Sequence, residues 1–549
     1  MSSVQMGTSR RRPFPRVEDF MNLEVSHPYG ILPAGNLFTS SSKSNNGNFW
    51  FSEHDEMCHL IMSFCSGTDL ARLAQVNRFL YAACHQPEYW RDLVLRRVEQ
   101  EQVVLEDMSL NSWKDTYMQL QTRSSTQKSG NQRVHPKPHQ PMAVSGVYSD
   151  YFYRLHSCRT FDIPQQWFDK DESDTKSSVK CIPASKMTLD TFYHEFEDTN
   201  TPVLIRQGAA TWQANNDRWN LPYLLDQTRG QDFRATSGAA PLPAQFSLKA
   251  YHQYCQWQLL EEAPLYLFDR TALAPNCPLW KDFHPDLNKT CPYWSETAPQ
   301  HDLFALLGEG RRPDHTWLIT GPKRSGSVFH MDPNATHAWN AAVKGRKRWI
   351  FYPPGVPPPG VHPSADADQV ALPLTVGEWI FQFWDQHVDR LLNSPPSEQP
   401  LEVTAFPGDV IFVPHGWWHM VINLDEGMNI AITHNYASKS NLVDVLKFLS
   451  EKRDQVSGCR DRAESIKPDQ LHEEFVKVMK EYHPKWLCEA ESVPHWTCAA
   501  WSDSTEADDT KKRRKIADER ADNTTPSSIM SKAKTEEGAS SGGFSFSFL

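Results

Sequence analysis

Three His-x-Asp triplets, in which x is any residue, stand out because they could ligate a metal ion. They are His284-Pro285-Asp286, His330-Met331-Asp332 and His387-Val388-Asp389. In a β-strand, residues two apart point to the same face, so one triplet can supply two ligands to one ion. Two histidines and one carboxylate that leave the other positions open form the ligand set of non-haem iron(II) sites that activate oxygen. The triplets therefore direct attention to a third ligand elsewhere in the chain.

The His330 triplet is the one whose surroundings fit a metal site. It follows the strand-like run 326–329 and precedes Pro333, as expected at the end of a strand. Pro285 suits a turn better than a central strand. The His387 triplet lies in WIFQFWDQHVDRLL, which indicates a helix, so its two side chains would diverge.

The third ligand is predicted to be His419, in the run Pro414-His-Gly-Trp-Trp-His419. This run follows the apolar strand-like residues 410–413 and leads into another at 420–424. His415 is a competing choice, although it lies next to the proline that ends the strand. A single histidine is more often a hydrogen-bonded core residue, and it is the combination of three residues that favours a metal.

The elements that must position these residues are short β-runs punctuated by glycine and proline. Such runs lie at 202–206, 264–268, 316–320, 348–352 and 410–413. They predict an antiparallel barrel or jelly roll, preceded by helices such as 188–197. Helical periodicity over 51–93 predicts three short helices ahead of it. The fold class is therefore α+β, with a small all-α module before the β-domain.

A length of 549 residues suggests roughly 3 to 4 domains. Changes in composition mark the boundaries between the segments. The predicted segments are a disordered N-terminus (1–49), a helical domain (50–121), a linker (122–155), the β-domain (156–450, with its core at about 300–450), a helical segment (451–500) and a disordered basic tail (501–549).

Composition excludes several classes of protein. The net charge of −11 argues against a chain that coats nucleic acid. No stretch approaches the roughly 18 apolar residues of a membrane helix. The 11 cysteines never form CxxC, which argues against zinc fingers and thioredoxin-like motifs. Their odd number and the lack of an apolar leader favour a reducing, intracellular setting.

Two segments carry a family resemblance, GPKRSGSVFHMDPNATHAWNAAVKGRKRWIFYP and FPGDVIFVPHGWWHMVINLDEGMNIAITHNYAS. They resemble the JmjC (jumonji-C) family of iron(II)- and 2-oxoglutarate-dependent oxygenases, in particular the subgroup described as bifunctional arginine demethylase and lysyl-hydroxylase. The resemblance extends over about residues 160–450. It implies a double-stranded β-helix, a cupin-like jelly roll with flanking helices.

The resemblance implies a role for particular residues of the site. His330, Asp332 and His419 match the iron ligands, and Lys347 matches the lysine that pairs with the distal carboxylate of 2-oxoglutarate. A further set matches positions in or near the cosubstrate pocket: Asn340, Thr433, Ser327 (a threonine in the subgroup), Tyr266, Asn435 and Trp317. As alternatives, Lys347 could be a solvated charge in a basic turn, and the others could be ordinary packing or strand residues.

The implied cofactors are Fe(II), 2-oxoglutarate as cosubstrate and O2. The implied reaction oxidises a C–H bond of a protein lysine or arginine side chain, on histones among other proteins. Oxidation at carbon gives hydroxylation, and oxidation of an N-methyl group gives demethylation. The alternative is a non-catalytic substrate receptor of a ubiquitin ligase. An RNA substrate is not supported by the sequence but stays open.

The N-terminal module, WFSEHDEMCHLIMSFCSGTDLARLAQVNRFLYAACHQPEYWRDLVL, resembles an F-box. Phe51-Ser52 stands where the family has Leu-Pro. The resemblance implies that residues 50–95 dock to the Skp1-type adaptor of a cullin ubiquitin ligase, whereas the alternative is a helical packing module without a partner.

The tail contains five consecutive cations at 511–515, KKRRK. This run is typical of a nuclear localisation signal, and a solvated charge run is the alternative. It predicts a nuclear location and leaves a cytoplasmic one open.

Overall fold

The computed structural model describes most of the chain between residues 26 and 493. The described residues are 26–33, 55–101, 104–105, 112–129, 139–160, 163, 165–168, 178–215, 218–237, 240–257, 261–274, 277–283, 302–364, 369–459 and 462–493. The His284 triplet, the 501–549 tail with its basic run, and all of the predicted disordered N-terminus except 26–33 lie outside them.

Short β-strands form the centre of the protein, as the spacing of apolar runs predicts. They are β1 (Ile31–Leu32), β2 (Val147–Tyr148), β3 (Lys180–Pro183), β4 (Val203–Arg206), β5 (Asp232–Ser237), β6 (Ala240–Ser247), β7 (Tyr266–Asp269), β8 (Thr316–Gly321), β9 (Gly326–His330), β10 (His337–Lys344), β11 (Lys347–Tyr352), β12 (His362–Pro363), β13 (Val370–Ala371), β14 (Leu401–Ala405), β15 (Val410–Val413), β16 (Trp418–Asn423) and β17 (Asn429–Tyr436).

Two sheets carry the β-domain. The large sheet has the order β3-β4-β15-β10-β17-β8-β7-β5-β6, and the small sheet has the order β14-β11-β16-β9. From β8 to β11, and again from β14 to β17, successive strands alternate between the sheets. This alternation is the arrangement of a double-stranded β-helix, so the predicted fold class is confirmed.

The two sheets face each other across an apolar layer. Ala338 and Ile411 of the large sheet lie in one buried cluster with Trp349, Phe351 and Val421 of the small sheet. Because alternate residues of a strand point to opposite faces, the neighbours of these residues point outwards. The site described below lies in the same inward-facing layer.

Helices cover the outer faces of both sheets and form the N- and C-terminal modules. They are α1 (Asp55–Ser63), α2 (Gly67–Leu73), α3 (Arg78–Ala83), α4 (Pro87–Glu101), α5 (Trp113–Ser129), α6 (Asp150–Arg159), α7 (Gln165–Phe168), α8 (Leu189–Phe192), α9 (Leu221–Gln227), α10 (Leu248–Trp257), α11 (Trp280–Phe283), α12 (Val376–Asn393), α13 (Leu442–Glu451), α14 (Pro468–Tyr482) and α15 (Pro484–Ser492). Within the described residues, none of them has the length and apolar character needed to cross a bilayer.

Between residues 55 and 101 the structure has four helices where the sequence predicts three over 51–93. The expected second helix is divided in two, because α2 already ends at Leu73 and Asn77 caps the start of α3. Its Oδ1 accepts a hydrogen bond of 2.8 Å from the backbone N–H of Leu80. An asparagine at this position satisfies a helix N-terminus better than it continues a helix. The last helix, α4, has 15 residues and is longer than expected.

The prediction of a linker over 122–155 is wrong at both ends, where the structure has helices. Helix α5 continues to Ser129, since Thr122–Ser129 contains no proline or glycine and includes good helix formers. Helix α6 begins at Asp150, capped by Ser149, and buries Phe152, Leu155 and Cys158 on one face. The prediction of disorder over 1–49 is also wrong at Ile31, which is buried in β1 and pairs with Val147.

The N-terminal module packs directly onto the β-domain. The rings of Trp113 and Trp257 are 4.0 Å apart, and Trp113 Nε1 donates to Glu261 Oε1 at 2.5 Å. The backbone N–H of Leu105 donates to Gln253 Oε1 at 3.1 Å. Aromatic packing and polar bonds therefore hold the two parts together.

Candidate active site

Two neighbouring strands of the small sheet bring together the predicted metal ligands. His330 ends β9, and His419 lies directly opposite it on β16. Their ring centroids are 4.2 Å apart. Asp332 follows two residues later, and one ligand atom from each of the three residues lies within 4.8 Å of the others. Among the described residues this is the one group of three or more His, Cys, Asp or Glu side chains with that geometry.

Backbone carbonyls hold both imidazoles by the nitrogen that points away from the group. His330 Nδ1 lies 2.8 Å from the carbonyl oxygen of Val328, and His419 Nδ1 lies 3.1 Å from that of Trp417. A carbonyl accepts hydrogen bonds, so each Nδ1 carries the proton and each Nε2 carries the lone pair. This is the support that metal-binding histidines usually have.

Burial keeps both imidazoles in the neutral form that a metal requires, whereas it disfavours the charged form of Asp332. It lowers the pKa of His330 and of His419 to about 4, so both imidazoles are neutral at pH 7. It also raises the pKa of Asp332. Asp332 Oδ2 is buried and has no hydrogen-bond partner among the described residues. An orphaned carboxylate oxygen beside two imidazole lone pairs fits a divalent metal ion.

The competing histidines have other partners. His387 lies in α12, as expected, with Nε2 2.7 Å from Glu402 Oε1 and Nδ1 2.8 Å from Tyr352 Oη. His415 Nε2 lies 2.8 Å from Asp444 Oδ2. Both side chains therefore take part in structural polar contacts away from the three-residue group.

Lys347, the first residue of β11, is a fully buried cation. Its side chain is 0% exposed, and Nζ donates to Tyr266 Oη at 2.7 Å. Burial lowers its pKa to about 7. No carboxylate of the described residues forms an ion pair with it. The alternative of a solvated charge is wrong, and a buried ammonium with one neutral partner fits an anionic ligand.

Three of the predicted cosubstrate residues lie side by side on neighbouring strands of the large sheet. Asn340 of β10 and Trp317 of β8 both pair with Thr433 of β17, so the three side chains share a face. Thr433 Oγ1 donates to the carbonyl oxygen of Trp339 at 2.9 Å. Tyr266, through Lys347, connects this row to the small sheet.

The remaining two predicted residues lie near the metal ligands. Ser327 is on β9 opposite Val421, and Asn435 is at the end of β17. Asn435 Nδ2 donates to Thr336 Oγ1 at 3.0 Å. The interaction of Asn435 with Asp332 favours the charged form of that carboxylate.

Sequence reasoning missed two inward-facing side chains of the small sheet. Asn423 lies directly opposite Lys347, is 0% exposed, and its Oδ1 has no hydrogen-bond partner among the described residues. Trp349 lies two residues after Lys347 on the same face. Counting by twos from His419 and from Lys347 along their strands would have found both.

A cavity of about 860 Å³ opens beside the start of β8. It shares Asp314 and His315 with a small recess lined by Trp317 and Asn435. Arg270 and Arg462 both contact Asp314, at 3.2 Å and 3.0 Å, which fixes this wall of the cavity. The small recess lies on the side of Asn435, whereas none of His330, Asp332 and His419 lines the large cavity.

Comparisons with known proteins agree with this arrangement. A family model described as a Cupin-like domain matches residues 272–442, and one described as F-box-like matches 55–96. "Arginine-specific demethylase JMJ22" of Arabidopsis thaliana is 33% identical over 479 residues, which are 85% of this chain and 84% of that protein.

Two further relatives match a smaller part of the chain. "Bifunctional arginine demethylase and lysyl-hydroxylase psr-1" of Caenorhabditis elegans is 34% identical over 274 residues, 49% of this chain and 63% of that protein. "2-oxoglutarate and iron-dependent oxygenase JMJD4" of Homo sapiens is 34% identical over 153 residues, 27% of this chain and 34% of that protein. The fold, the similarity over 85% of the chain and the F-box-like match agree, and the chain belongs to the JmjC family of iron(II)- and 2-oxoglutarate-dependent oxygenases.

Proposed function

We propose that this chain oxidises side chains of a protein substrate, with arginine demethylation as its principal reaction. The observation that carries the proposal is the similarity to a protein named as an arginine-specific demethylase over 85% of the chain, together with the three side chains suited to iron. Lysine hydroxylation is the second candidate, because the psr-1 relative is named for both activities.

In this proposal His330, Asp332 and His419 hold Fe(II) through two imidazole Nε2 atoms and one carboxylate oxygen. When bound, iron with 2-oxoglutarate and O2 supplies the oxidising power to place one oxygen atom on a substrate carbon, while 2-oxoglutarate is converted to succinate and CO2. The carbonyls of Val328 and Trp417 orient the two rings. The side chains and carbonyls of this site would thus bind the metal ion and fix the orientation of its ligands.

The cosubstrate carboxylate is proposed to lie on Lys347, whose ammonium is fixed by Tyr266. Ion pairs with hydrogen bonds are strong where water is excluded. Asn340, Thr433 and Trp317 flank the same space from the large sheet. Ser327 and Asn435 lie on the side toward the metal ligands.

The two candidate reactions use the same site and differ in the substrate carbon. Oxygen placed on an N-methyl group gives a carbinolamine that loses formaldehyde, which removes the methyl group. Oxygen placed on a lysine side-chain carbon gives a stable alcohol. The substrate carbon that is presented to the metal ligands therefore decides the outcome.

Mass spectrometry of peptides distinguishes these reactions. The full-length protein is incubated with Fe(II), 2-oxoglutarate and air, using methyl-arginine peptides and lysine peptides of histone sequence. We expect loss of CH2 with release of formaldehyde from the methyl-arginine peptides. Gain of one oxygen on lysine peptides alone would favour the second candidate. His330→Ala serves as the inactive control.

A non-catalytic receptor is the alternative from another class. That function would not require two carbonyl-oriented imidazoles, an orphaned carboxylate and a buried lysine in one layer. Absence of iron binding and of succinate formation in the presence of substrate peptides would favour it.

We further propose that the F-box-like domain docks to a Skp1-type adaptor through an exposed apolar face. Met57, Leu60, Ile61 and Phe64 recur at helical spacing along α1 and just beyond it. Phe64 is 78% exposed and Val76 nearby is 66% exposed. Several large apolar side chains exposed on one small module are typical of a protein-binding surface.

Co-purification with the adaptor tests this surface. Phe64→Asp should abolish the complex, because a carboxylate would be desolvated in an apolar interface. The matched control is Leu392→Asp, a change at a similarly exposed leucine of α12. Retention of the adaptor by Phe64→Asp would contradict the proposal.

For location we propose the nucleus, directed by the KKRRK run at 511–515. Replacing these five cations by alanine in a fluorescent fusion should shift the protein to the cytoplasm. An unchanged distribution would contradict the proposal.

A further inference from the structure

The carboxylate of Asp332 is held differently from the two imidazoles of the candidate metal site. His330 and His419 lie opposite each other in the ladder between β9 and β16, at the pair that ends this ladder. Asp332 lies two residues beyond the end of β9, outside the ladder. The direction of its carboxylate therefore depends on the turn that follows it, Pro333–Ala335.

This turn has a backbone conformation that few residues adopt. Asn334 and Ala335 have φ values of 56° and 53°, in the left-handed region that residues other than glycine rarely occupy. Alanine has no polar side-chain group that could stabilise this conformation locally. Two consecutive residues in this region persist only where the surrounding structure holds them. Contacts from outside the turn must therefore hold it in place.

The side-chain amide of Asn334 pairs with both backbone groups of Ser457. The N–H of Ser457 donates to Asn334 Oδ1 at 3.0 Å, and Asn334 Nδ2 donates to the carbonyl oxygen of Ser457 at 3.1 Å. Asn334 is 4% exposed and Ser457 is 7% exposed, so both partners are largely removed from water. Asparagine suits this position because it tolerates the left-handed region and can both donate and accept.

The segment that contains Ser457 belongs to the C-terminal module. Val456, beside it, is buried in one apolar cluster with Leu442 of α13. At the start of α13, Asn441 Nδ2 donates to the carbonyl oxygen of Ala335 at 2.9 Å. Both left-handed residues of the turn are thus anchored by a part of the chain that follows the last strand of the β-domain.

We propose that Asn334 is a positioning residue of the metal site, which holds the turn through Ser457 so that the carboxylate of Asp332 faces the two imidazoles. The inference rests on the metal site of the function proposed above. Fixing the carboxylate in advance should raise metal affinity, because the free protein then has less freedom to lose on binding. The C-terminal module thereby contributes to the metal site, although the three ligands come from the β-domain.

Titration with Co(II), which can replace iron(II) and absorbs visible light when bound, tests the inference. Full-length protein prepared without metal is titrated with Co(II) alone, and the affinity and the absorption spectrum of the bound ion are recorded. Asn334→Gly keeps the left-handed backbone accessible and removes the amide. We expect it to bind Co(II) about 10- to 100-fold more weakly, with a changed spectrum because the carboxylate is displaced.

Asn429→Ala is the matched control. Asn429 is 1% exposed, and its Nδ2 donates to the carbonyl oxygen of Asp425 at 2.7 Å. It begins β17, toward the opposite end of that strand from Asn435. This variant should lose thermal stability as Asn334→Gly does, but bind Co(II) with the affinity and spectrum of the wild type. An equal loss of affinity in both variants would attribute the effect to lost stability and overturn the inference.

The outcomes separate this inference from the proposed function. If the wild type binds Co(II) and Asn334→Gly binds it with equal affinity and the same spectrum, the inference is overturned and the function stands. If the wild type binds no Co(II), both are overturned.

Should Asn334→Gly not fold, hydrogen exchange in the wild type decides. If the turn favours metal binding, the metal must in return stabilise the turn by the same factor, so Co(II) should slow exchange of the Ser457 N–H about tenfold or more. The N–H of Leu80, which donates to Asn77 Oδ1 in the N-terminal module, is the reference and should exchange at an unchanged rate. Exchange of Ser457 that does not slow relative to Leu80 would overturn the inference.

Discussion

Lys347 is the residue whose surroundings are hardest to explain without a ligand. This ammonium has no exposed surface, and among the described residues it donates to one tyrosine hydroxyl, so it has lost hydration that one hydrogen bond does not replace. The lost hydration destabilises the charged form of Lys347 in the folded protein, and the lowered pKa of Lys347 reflects this. A bound carboxylate would offset the cost, so binding and charge are coupled at this residue.

That coupling predicts how 2-oxoglutarate affinity depends on pH. The free protein holds Lys347 with a pKa of about 7, and a bound carboxylate raises that pKa. Below this pH the ammonium is already charged, and above it binding must take up a proton. The Kd should therefore be flat below about pH 7 and rise up to about tenfold per pH unit above it. Calorimetry across this range checks the prediction, and a Kd that falls with rising pH would contradict it.

Lys347→Met separates the role of the charge from that of packing. The variant keeps the length of the side chain and removes a buried cation, so its melting temperature should equal or exceed that of the wild type. The affinity for 2-oxoglutarate should fall by about 2–5 kcal/mol. A stable variant that still binds normally would show that the anion site is elsewhere.

At the scale of elements, the pairing of β9 with β16 decides whether the two histidines meet. The strands approach closely at Gly326, where an added Cβ would lie 1.9 Å from the carbonyl oxygen of Val421. Only a glycine allows this approach. The separation of His330 and His419 thus depends on a residue at the other end of β9.

Gly326→Ala should damage both stability and metal binding. Forcing a methyl group against the neighbouring backbone should destabilise the protein by about 1–3 kcal/mol and separate the strands that carry the histidines. Gly427→Ala is the control, because its turn has a positive φ but an added Cβ there would meet nothing within 4 Å. Thermal unfolding and Zn(II) titration measure the two effects. Equal metal affinity in both variants would contradict the role of this strand pair.

At the scale of the whole molecule, the F-box-like module and the oxygenase domain share one buried apolar cluster. Val94 of α4 and Trp339 of the large sheet both belong to it. A large shared core favours one cooperative unit over two independent domains. The adaptor-binding face and the active site should therefore keep a fixed relation to each other.

Trp113→Ala tests this cooperativity. Trp113 packs on Trp257 and donates a hydrogen bond to Glu261. Truncating it should therefore lower the free energy of unfolding by about 3–5 kcal/mol. We expect one calorimetric transition in the wild type and two in the variant, with the helical module melting first. Two transitions already present in the wild type would contradict a shared core.

The sequence alone predicted the parts of the fold that depend on local patterns. The β-runs, the helical nature of the His387 segment and the pair His330 and Asp332 follow from spacing within a few residues, and His419 follows from the strand-like runs on either side of it. Helix α6 and strand β1 were missed because their apolar faces are short, and their stability comes from distant partners such as Val147. Alternation along β11 and β16 could have placed Trp349 and Asn423 on the inward face, but their unpaired hydrogen-bonding groups are visible only in three dimensions.

The most direct test of the central claim is 2-oxoglutarate turnover coupled to a peptide substrate. The full-length protein, with Fe(II), oxygen and a methyl-arginine peptide, should produce succinate and formaldehyde in equal amounts. His330→Ala and His419→Ala should produce neither. Succinate and formaldehyde formed equally well by the wild type and by the His330→Ala variant would contradict the assignment of the site. The absence of both from wild-type reactions, with every methyl-arginine and lysine peptide tried, would contradict the proposed reaction.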